Sequence, residues 1–460
     1  MVCEEMTAGQ VFDTELRKLC AERTQDFIAA SGNRGSYSRV DSYVRIIRGM
    51  LEESSVMYVG ERLCIYDGRC YVPLEVKEMK EAVLNSLYDM GIGCSDIRRM
   101  GDTPFTVLSR KRAQPDRSKI CFEDCIYDMD KADTLPFTPK IICTEKADYP
   151  MRSVQKPVLW EKFLSEVLPD DTARANLQEF FGMCYIDREK ISIEKMAFLI
   201  GSGANGKSVV FDVMKHVMGK GGMSFLDPAQ LTDPKFLTEI EGRRLNFAAD
   251  TRKGASFDSA LKALASSNEV HGWRMYQGSV VLRCPPLAFA FNETPRFRDI
   301  SPAFFRRVLP IVFGVTIPPS RQDRRLAAKI CATELPGVFN WIMQGRKRLL
   351  DNGGEFTPCK ASDDQLADMR RQAVLAADPV TGWLSKNHFS ITPTDDKCKP
   401  VAFSCAALSR QMGGILAPLA VKREFKTRGA KTGNNGRGGS VIFLYPIQSN
   451  NENTIIHGTN

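Results

Sequence analysis

The apolar positions change period along the chain, and each change marks a region. Residues 1–55 carry helical stripes: Phe12, Leu16 and Leu19 share one face, and Val40 to Leu51 repeats the spacing. Residues 56–75, MYVGERLCIYDGRCYVPLEV, alternate instead, with Asp67-Gly68 between two short strands, which predicts a hairpin. Lys77 to Met90 returns to helical spacing. Residues 119–150 form a second alternating unit, and 157–187 read as two helices. From Met196 onward the apolar runs become short and unbroken: MAFLI, RLNFAA, PLAFAF and VLPIVF, separated by helical segments. Unbroken runs suit strands buried on both faces, and their alternation with helices predicts a parallel α/β sheet. Helices within 322–350 close this unit. A linker and charged helix follow, then a small end region with a helix near 402–412 and a strand–turn–strand.

One junction carries chemistry. Met196 to Ile200 is followed by Gly201-Ser-Gly-Ala-Asn-Gly-Lys207-Ser208, which fits G-x-x-x-x-G-K-[ST]. Val209, Val210, Val213, Met214 and Val217 then keep helical spacing up to Gly219. Strand, glycine loop and helix are the context in which backbone N–H groups ring a phosphate and a helix N-terminus adds positive charge. The loop residues Gly201, Gly203, Ala204, Asn205, Gly206, Lys207 and Ser208 are therefore expected to hold ATP. Lys207 would reach the β- and γ-phosphates and Ser208 would ligate Mg²⁺.

Composition narrows the picture. The chain has 460 residues, 43% apolar, enough for several cored domains. A net charge of +8 makes nucleic acid a plausible partner without implying one. Fourteen cysteines and four histidines lack paired metal-ligand spacing, so the cysteines read as reduced and packed. The polar, acidic N-terminus is not a signal peptide, and no run of about 18 apolar residues offers a membrane span. A soluble, cytoplasmic protein is expected. Asp128-Met-Asp130 reads as a hairpin turn rather than a metal site. Arg98 to Lys119 is basic, either as solvated surface or as a nucleic-acid contact.

Together, GSGANGKS at 201–208, GRRLNFAAD at 242–250, the Lys262 helix and its hairpin, LAFAFNETPRF at 287–297 and AFFRRVLPIVF at 303–313 resemble the superfamily 3 helicases. The similarity is to the phage, plasmid and poxvirus primase–helicase type. FEDCIYDMD and LQEFFGMCYI resemble that family's accessory domain. The resemblance spans roughly residues 100–350 and implies an AAA+-like P-loop ATPase core with a parallel sheet. That core would follow an α+β accessory domain and precede a small winged-helix-like domain. The expected divisions are an N-terminal α+β region (1–100), an accessory domain (101–190), the ATPase core (191–350), a linker and helix (351–379) and a DNA-binding end (380–460). The chain departs from the family at Ala249-Asp250, with one aspartate where an acidic pair or glutamate is usual. It also has Ser266-Ser267-Asn268-Glu269 in place of Gly-Gly-Asp. No segment reads as a primase, so priming is expected from a separate polypeptide.

The resemblance implies a homo-oligomeric ring, a hexamer, acting on single-stranded and forked DNA, with ATP hydrolysed between subunits. Asp250 would hold Mg²⁺ or polarise the attacking water, and Asn292 would bond the γ-phosphate or that water. Arg306 or Arg307 would be the arginine finger; if both lie in extended chain they point opposite ways, and Arg307 is favoured. Arg274, Tyr276 and Arg283 on the 271–283 hairpin could contact DNA in the channel or belong to an ordinary packed hairpin. Lys422, Arg423, Lys426, Arg428, Lys431 and Arg437 are assigned to a basic wing gripping DNA backbone. The expected function is a replicative helicase of a phage, plasmid or mobile element. An ATP-gated origin-binding initiator and a signalling ATPase scaffold are the alternatives.

Overall fold

The computed structural model describes residues 6–33, 35–188, 190–219, 221–249, 256–257, 259–266, 269–274, 278–293, 295–297, 299–393, 399–412, 418–434 and 440–446. The chain divides into two compact units. The first comprises Met1–Thr251, Leu264–Asn292 and Ile311–Cys359; the second comprises Arg252–Ala263, Glu293–Pro310 and Lys360–Asn460.

The first unit begins with the helices that the stripes predict, Ala8–Glu22, Thr24–Ser31 and Ser36–Glu53. Thr7 and Gln10 close a capping box on the first. Phe12, Leu16, Val40, Tyr43, Ile47 and Leu51 bury together, while Leu19 is partly buried against them. Strands Arg62–Tyr66 and Tyr71–Pro73 form the expected hairpin. Asp67 Oδ1 accepts the N–H groups of Arg69 and Cys70, both at 2.8 Å, which fixes the turn. The helix Val76–Asp89 follows.

Strands Lys119–Cys121, Ile126–Asp128 and Asp133–Leu135 make a small antiparallel sheet. Asp128 ends its strand at the hairpin turn that the sequence context predicts, and its side chain caps that turn. Its Oδ1 accepts Asp130 N–H at 3.1 Å and Lys131 N–H at 3.2 Å, and its Oδ2 lies 3.1 Å from Lys119 Nζ. Burial pushes this carboxyl up, but the Lys119 contact and the two N–H donors hold it below its ordinary value. Among the described residues no group of three or more acidic, cysteine or histidine side chains forms a metal site.

Helices Val158–Val167 and Asp171–Met183 lead into a five-stranded sheet. Its strands are β1 (Met196–Ile200), β2 (Met223–Ser224), β3 (Leu245–Ala248), β4 (Leu287–Phe291) and β5 (Val308–Val312). Their spatial order is β5-β1-β4-β3-β2, and the pairs β1/β4, β4/β3 and β3/β2 are parallel. Every residue of β1, β3 and β4 is buried, which is why these runs are wholly apolar apart from Asn246. Asn246 has no exposed surface. Its amide oxygen accepts from Ser224 and from Leu226 N–H, and its Nδ2 donates to the Leu226 carbonyl, each at 2.9 Å. The chain thus has the expected α/β class with a parallel sheet. No helix among the described residues is long and apolar enough to cross a membrane.

The second unit contains the end region. Residues 402–404, expected at the start of a helix, belong to a strand, Val401–Ser404. The helix is Cys405–Gln411, capped by the Ser404 hydroxyl on Ala407 N–H. Ser256–Phe257 is a two-residue strand, and the helix that carries Lys262 is Ser259–Ser266. The charged helix is Lys360–Ala377.

Candidate functional site

Parallel strands place their carboxyl ends on one edge, and that edge is where ligands bind in open α/β sheets. The register Phe291↔Ile200 sets the ends of β4 and β1 side by side, so Asn292 stands next to the loop that leaves β1. The loop runs from Gly201 to Gly206 and enters helix α1, Lys207–Val217. Gly206 is left-handed at φ +87°, and a Cβ there would lie 2.8 Å from the Phe163 ring. A Cβ on Gly201 would meet the Phe313 carbonyl oxygen at 2.6 Å. Neither position admits a side chain without displacing its neighbours. Ala204 also has positive φ, at 50°, outside the region that non-glycine residues favour.

Asn205 is buried and turned inward. Its Nδ2 donates to the Phe313 carbonyl at 3.3 Å, and its Oδ1 accepts from Lys207 Nζ at 2.9 Å. Ile317 N–H donates to the Ala204 carbonyl at 2.8 Å, so the chain beyond β5 braces the loop. Lys207 is buried, with Nζ also donating to the Gly201 carbonyl at 2.7 Å and to Asn292 Oδ1 at 3.3 Å. Among the described residues, no backbone N–H from Ser202 to Gly206 donates to a backbone carbonyl. The first-turn N–H groups of α1 also have no partner within the helix. The result is a set of N–H donors around one ammonium group, a donor set that suits a polyphosphate. Ser208 is exposed at the start of α1, where a hydroxyl can reach a cation held by that phosphate.

The structure therefore brings together Lys207, Asn205 and Asn292 with Gly201, Gly203, Ala204, Gly206 and Ser208. Asp250 lies outside the described residues. So do Tyr276, Arg437 and the side chain of Arg274. The hairpin itself is present, pairing Glu269–Arg274 with Gly278–Arg283, and Arg283 on it is exposed.

Within the second unit, Arg306 and Arg307 do not lie in extended chain. Pro302–Phe305 is a short helix capped by Ser301, and Arg306 is its αR C-cap. Arg307 is buried and donates to the Ala303 carbonyl, whereas Arg306 is exposed. Helical capping rather than strand alternation thus sets their directions. Nearby, Lys262 Nζ lies 2.7 Å from Asp299 Oδ2. Burial raises the Asp299 carboxyl, but the bonds from Lys262 and Ser301 hold it below its ordinary value. Only the lysine of this pair stood out in the sequence.

The basic end residues are not all on a wing. Lys422, Arg423 and Lys426 lie on the helix Pro418–Thr427, and Lys431 opens the strand Lys431–Asn434, which pairs with Ser440–Pro446. Val421 and Phe425, four apart, turn inward onto Leu408, Ile442 and Leu444. Lys422 donates to Ser440 Oγ at 2.9 Å. Arg428 is ion-paired with Asp378 at 2.6 Å and with Glu424 at 3.4 Å. Arg423, Lys426 and Lys431 are exposed and lie outside those pairs. Asp378, which neutralises Arg428, is the residue that charge counting missed, because it lies 50 positions upstream.

A family model described as a family of unknown function, DUF5906, matches residues 199–307. No curated protein matches the chain. Among solved structures, the chain is similar to the C-terminal region of NrS-1 in its A-form apo structure. That match has 12% identity and a TM-score of 0.48, and covers 87% of this chain and 98% of the other. An apo structure of the NrS-1 C-terminal region, residues 305–718, matches over 87% of this chain and 98% of the other, with 12% identity and a TM-score of 0.43.

Proposed function

We propose that this chain is an AAA+-like P-loop ATPase that works as a ring-forming DNA helicase in the replication of a phage, plasmid or mobile element. The observation that carries this reading is the position of the Lys207 ammonium. It sits inside the glycine loop, at the carboxyl edge of the sheet, within reach of Asn292 on the neighbouring strand. Bound ATP and Mg²⁺ would supply the phosphoryl group to be cleaved and the cation that neutralises it. The loop N–H groups and Lys207 would orient the β- and γ-phosphates, Ser208 would ligate Mg²⁺, Asp250 would hold Mg²⁺ or polarise the attacking water, and Asn292 would bond the γ-phosphate or that water.

Arg306, exposed at its helix cap, fits the role of a residue offered to a neighbouring subunit better than Arg307 does. The end region is read as a winged-helix-like module, with Arg423 and Lys426 on a helix and Lys431 on the adjoining strand facing DNA phosphates. The hairpin carrying Arg274, Tyr276 and Arg283 is read as the contact with single-stranded DNA. ATP-dependent unwinding of a forked duplex tests the reading. DNA-stimulated ATP hydrolysis without unwinding selects the origin-binding initiator, which the basic helix before a strand pair also fits.

A further inference from the structure

At the amino edge of the same sheet the first unit holds a cavity of about 950 Å³. A side pocket of about 40 Å³ shares Arg117, Asp187, Arg243 and Arg283 with it. Arg243 lies just before β3, and Pro286, which lines the side pocket, just before β4. The Lys207 loop lies at the other end of these strands. Five residues of β4 at about 3.3 Å each put roughly 16 Å between the two edges, so this is not the loop's own ligand space.

The side pocket is strongly basic. Arg117, Arg188, Arg243, Arg244 and Arg283 line it, with Asp187 the carboxylate among its lining residues. Arg244 is neutralised by Glu145 and stacks over Tyr185 with 4.7 Å to the ring centroid. Arg188 donates to the carbonyls of Ala265, Cys284 and Ile193 and buttresses the wall. Arg243 donates to two carbonyls, Glu239 and Gly221. Among the described residues the Arg117 guanidinium makes no hydrogen bond or ion pair. Burial lowers the pKa of Arg117; the Glu145 and Asp187 carboxylates oppose this from a distance, and the nearby Arg244 and Arg283 add to it, leaving it below its ordinary value. Two thiols share the wall, Cys184 and Cys284. Burial pushes each up to about 12, so they stay neutral and add no negative charge.

Carboxylates of the larger cavity are already engaged. Glu241 holds Arg62 at 2.8 Å, and Asp130 holds Arg346 at 2.7 Å. A cation inside the protein, without a bonded anion and beside other cations, is costly unless an anion completes it. A guanidinium fork matches phosphate in a bidentate way. The volume is that of a small-ligand pocket, not a path for a polymer.

We propose that this cavity is a second ligand site, taking a small phosphate ester of nucleotide size. Its phosphate sits on Arg117 and Arg243, and its remainder fills the larger space. The site is independent of the Lys207 loop.

The test uses the full chain carrying Lys207→Ala, with inorganic pyrophosphate as the probe in calorimetry. One saturable site is expected. Arg117→Ala should weaken it about tenfold or more, the usual scale for removing a charged hydrogen bond. Arg117→Lys should recover part of that loss. Arg243→Gln, which removes the charge but keeps a donor, is the second variant should Arg117→Ala fail to fold. Absence of saturable binding, or binding unchanged by both variants, overturns the proposal. Displacement of pyrophosphate by a thymidine 20-mer as effectively as by AMP overturns the small-ligand assignment and makes the cavity a DNA contact.

Discussion

Lys207 Nζ donates to Asn292 Oδ1 across 3.3 Å, joining the loop after β1 to the end of β4. Two residues 85 positions apart meet because β1 and β4 are parallel neighbours in register. This hydrogen bond joins the two chain segments expected to handle a γ-phosphate. Asn292→Ala should therefore leave ATP binding largely intact and slow hydrolysis by roughly 10²-fold, the scale for removing one donor to a developing charge. Nucleotide titration and phosphate release check this. Loss of binding with unchanged turnover per bound ATP would move Asn292 to a purely structural role.

Gly206 tests the loop's shape. A methyl group there meets the Phe163 ring at 2.8 Å and sits on a left-handed backbone. Gly206→Ala should lower stability by about 1–3 kcal/mol and weaken nucleotide binding with it. Thermal melting with and without ATP reads both effects. An unchanged melting temperature would show that the loop relaxes freely.

The two adjacent arginines should separate by phenotype. Arg306→Ala, at an exposed cap, should cut turnover by about 10³-fold while melting normally. Arg307→Ala, which removes a buried donor to Ala303, should lower the melting temperature. Mixing Arg306→Ala with Lys207→Ala subunits should restore some hydrolysis if the arginine acts across an interface. Wild-type turnover in Arg306→Ala would exclude it as the finger.

For DNA, Arg423, Lys426 and Lys431 are the cations to remove together. The slope of log K against log salt on duplex DNA should fall by about 2.7, since each phosphate that is no longer neutralised takes away about 0.9. Arg428→Ala should change the slope far less, because Asp378 and Glu424 already neutralise it. Equal effects would mean that those ion pairs open on binding.

Acid stability should follow Asp96. The hydrogen bond from Arg39 Nε, at 2.7 Å, holds this carboxyl below its ordinary value. A lowered carboxyl binds its proton more weakly folded than unfolded. Its contribution is therefore full above the unfolded value, near about 4, and is lost as pH falls through the folded one. Melting of the wild type should drop more steeply than that of Arg39→Ala below about pH 4. Parallel curves would show that the pair contributes nothing.

The sheet was legible because burial on both faces leaves unbroken apolar runs, and the loop because glycine spacing there is tied to backbone shape. Three features were not. Arg306 and Arg307 precede an apolar strand, and their opposite directions were argued on the condition of extended chain, but Ser301 and Pro302 start a helix that ends beneath them. The basic run at 421–431 is mostly helix, since Val421 and Phe425 supply only two inward positions in a charged stretch. Arg117 read as one cation of a basic stretch, either solvated surface or a nucleic-acid contact. Its setting depends on Arg244 and Arg283, which reach it only through the fold.

Phosphate release from ATP by the purified chain, compared with the Lys207→Ala variant at matched fold, tests the central claim most directly. The wild type should hydrolyse ATP in the presence of Mg²⁺. The variant should fall by at least about 10²-fold with its melting temperature preserved. Equal turnover in the two proteins would contradict the phosphate-loop reading and, with it, the proposed motor.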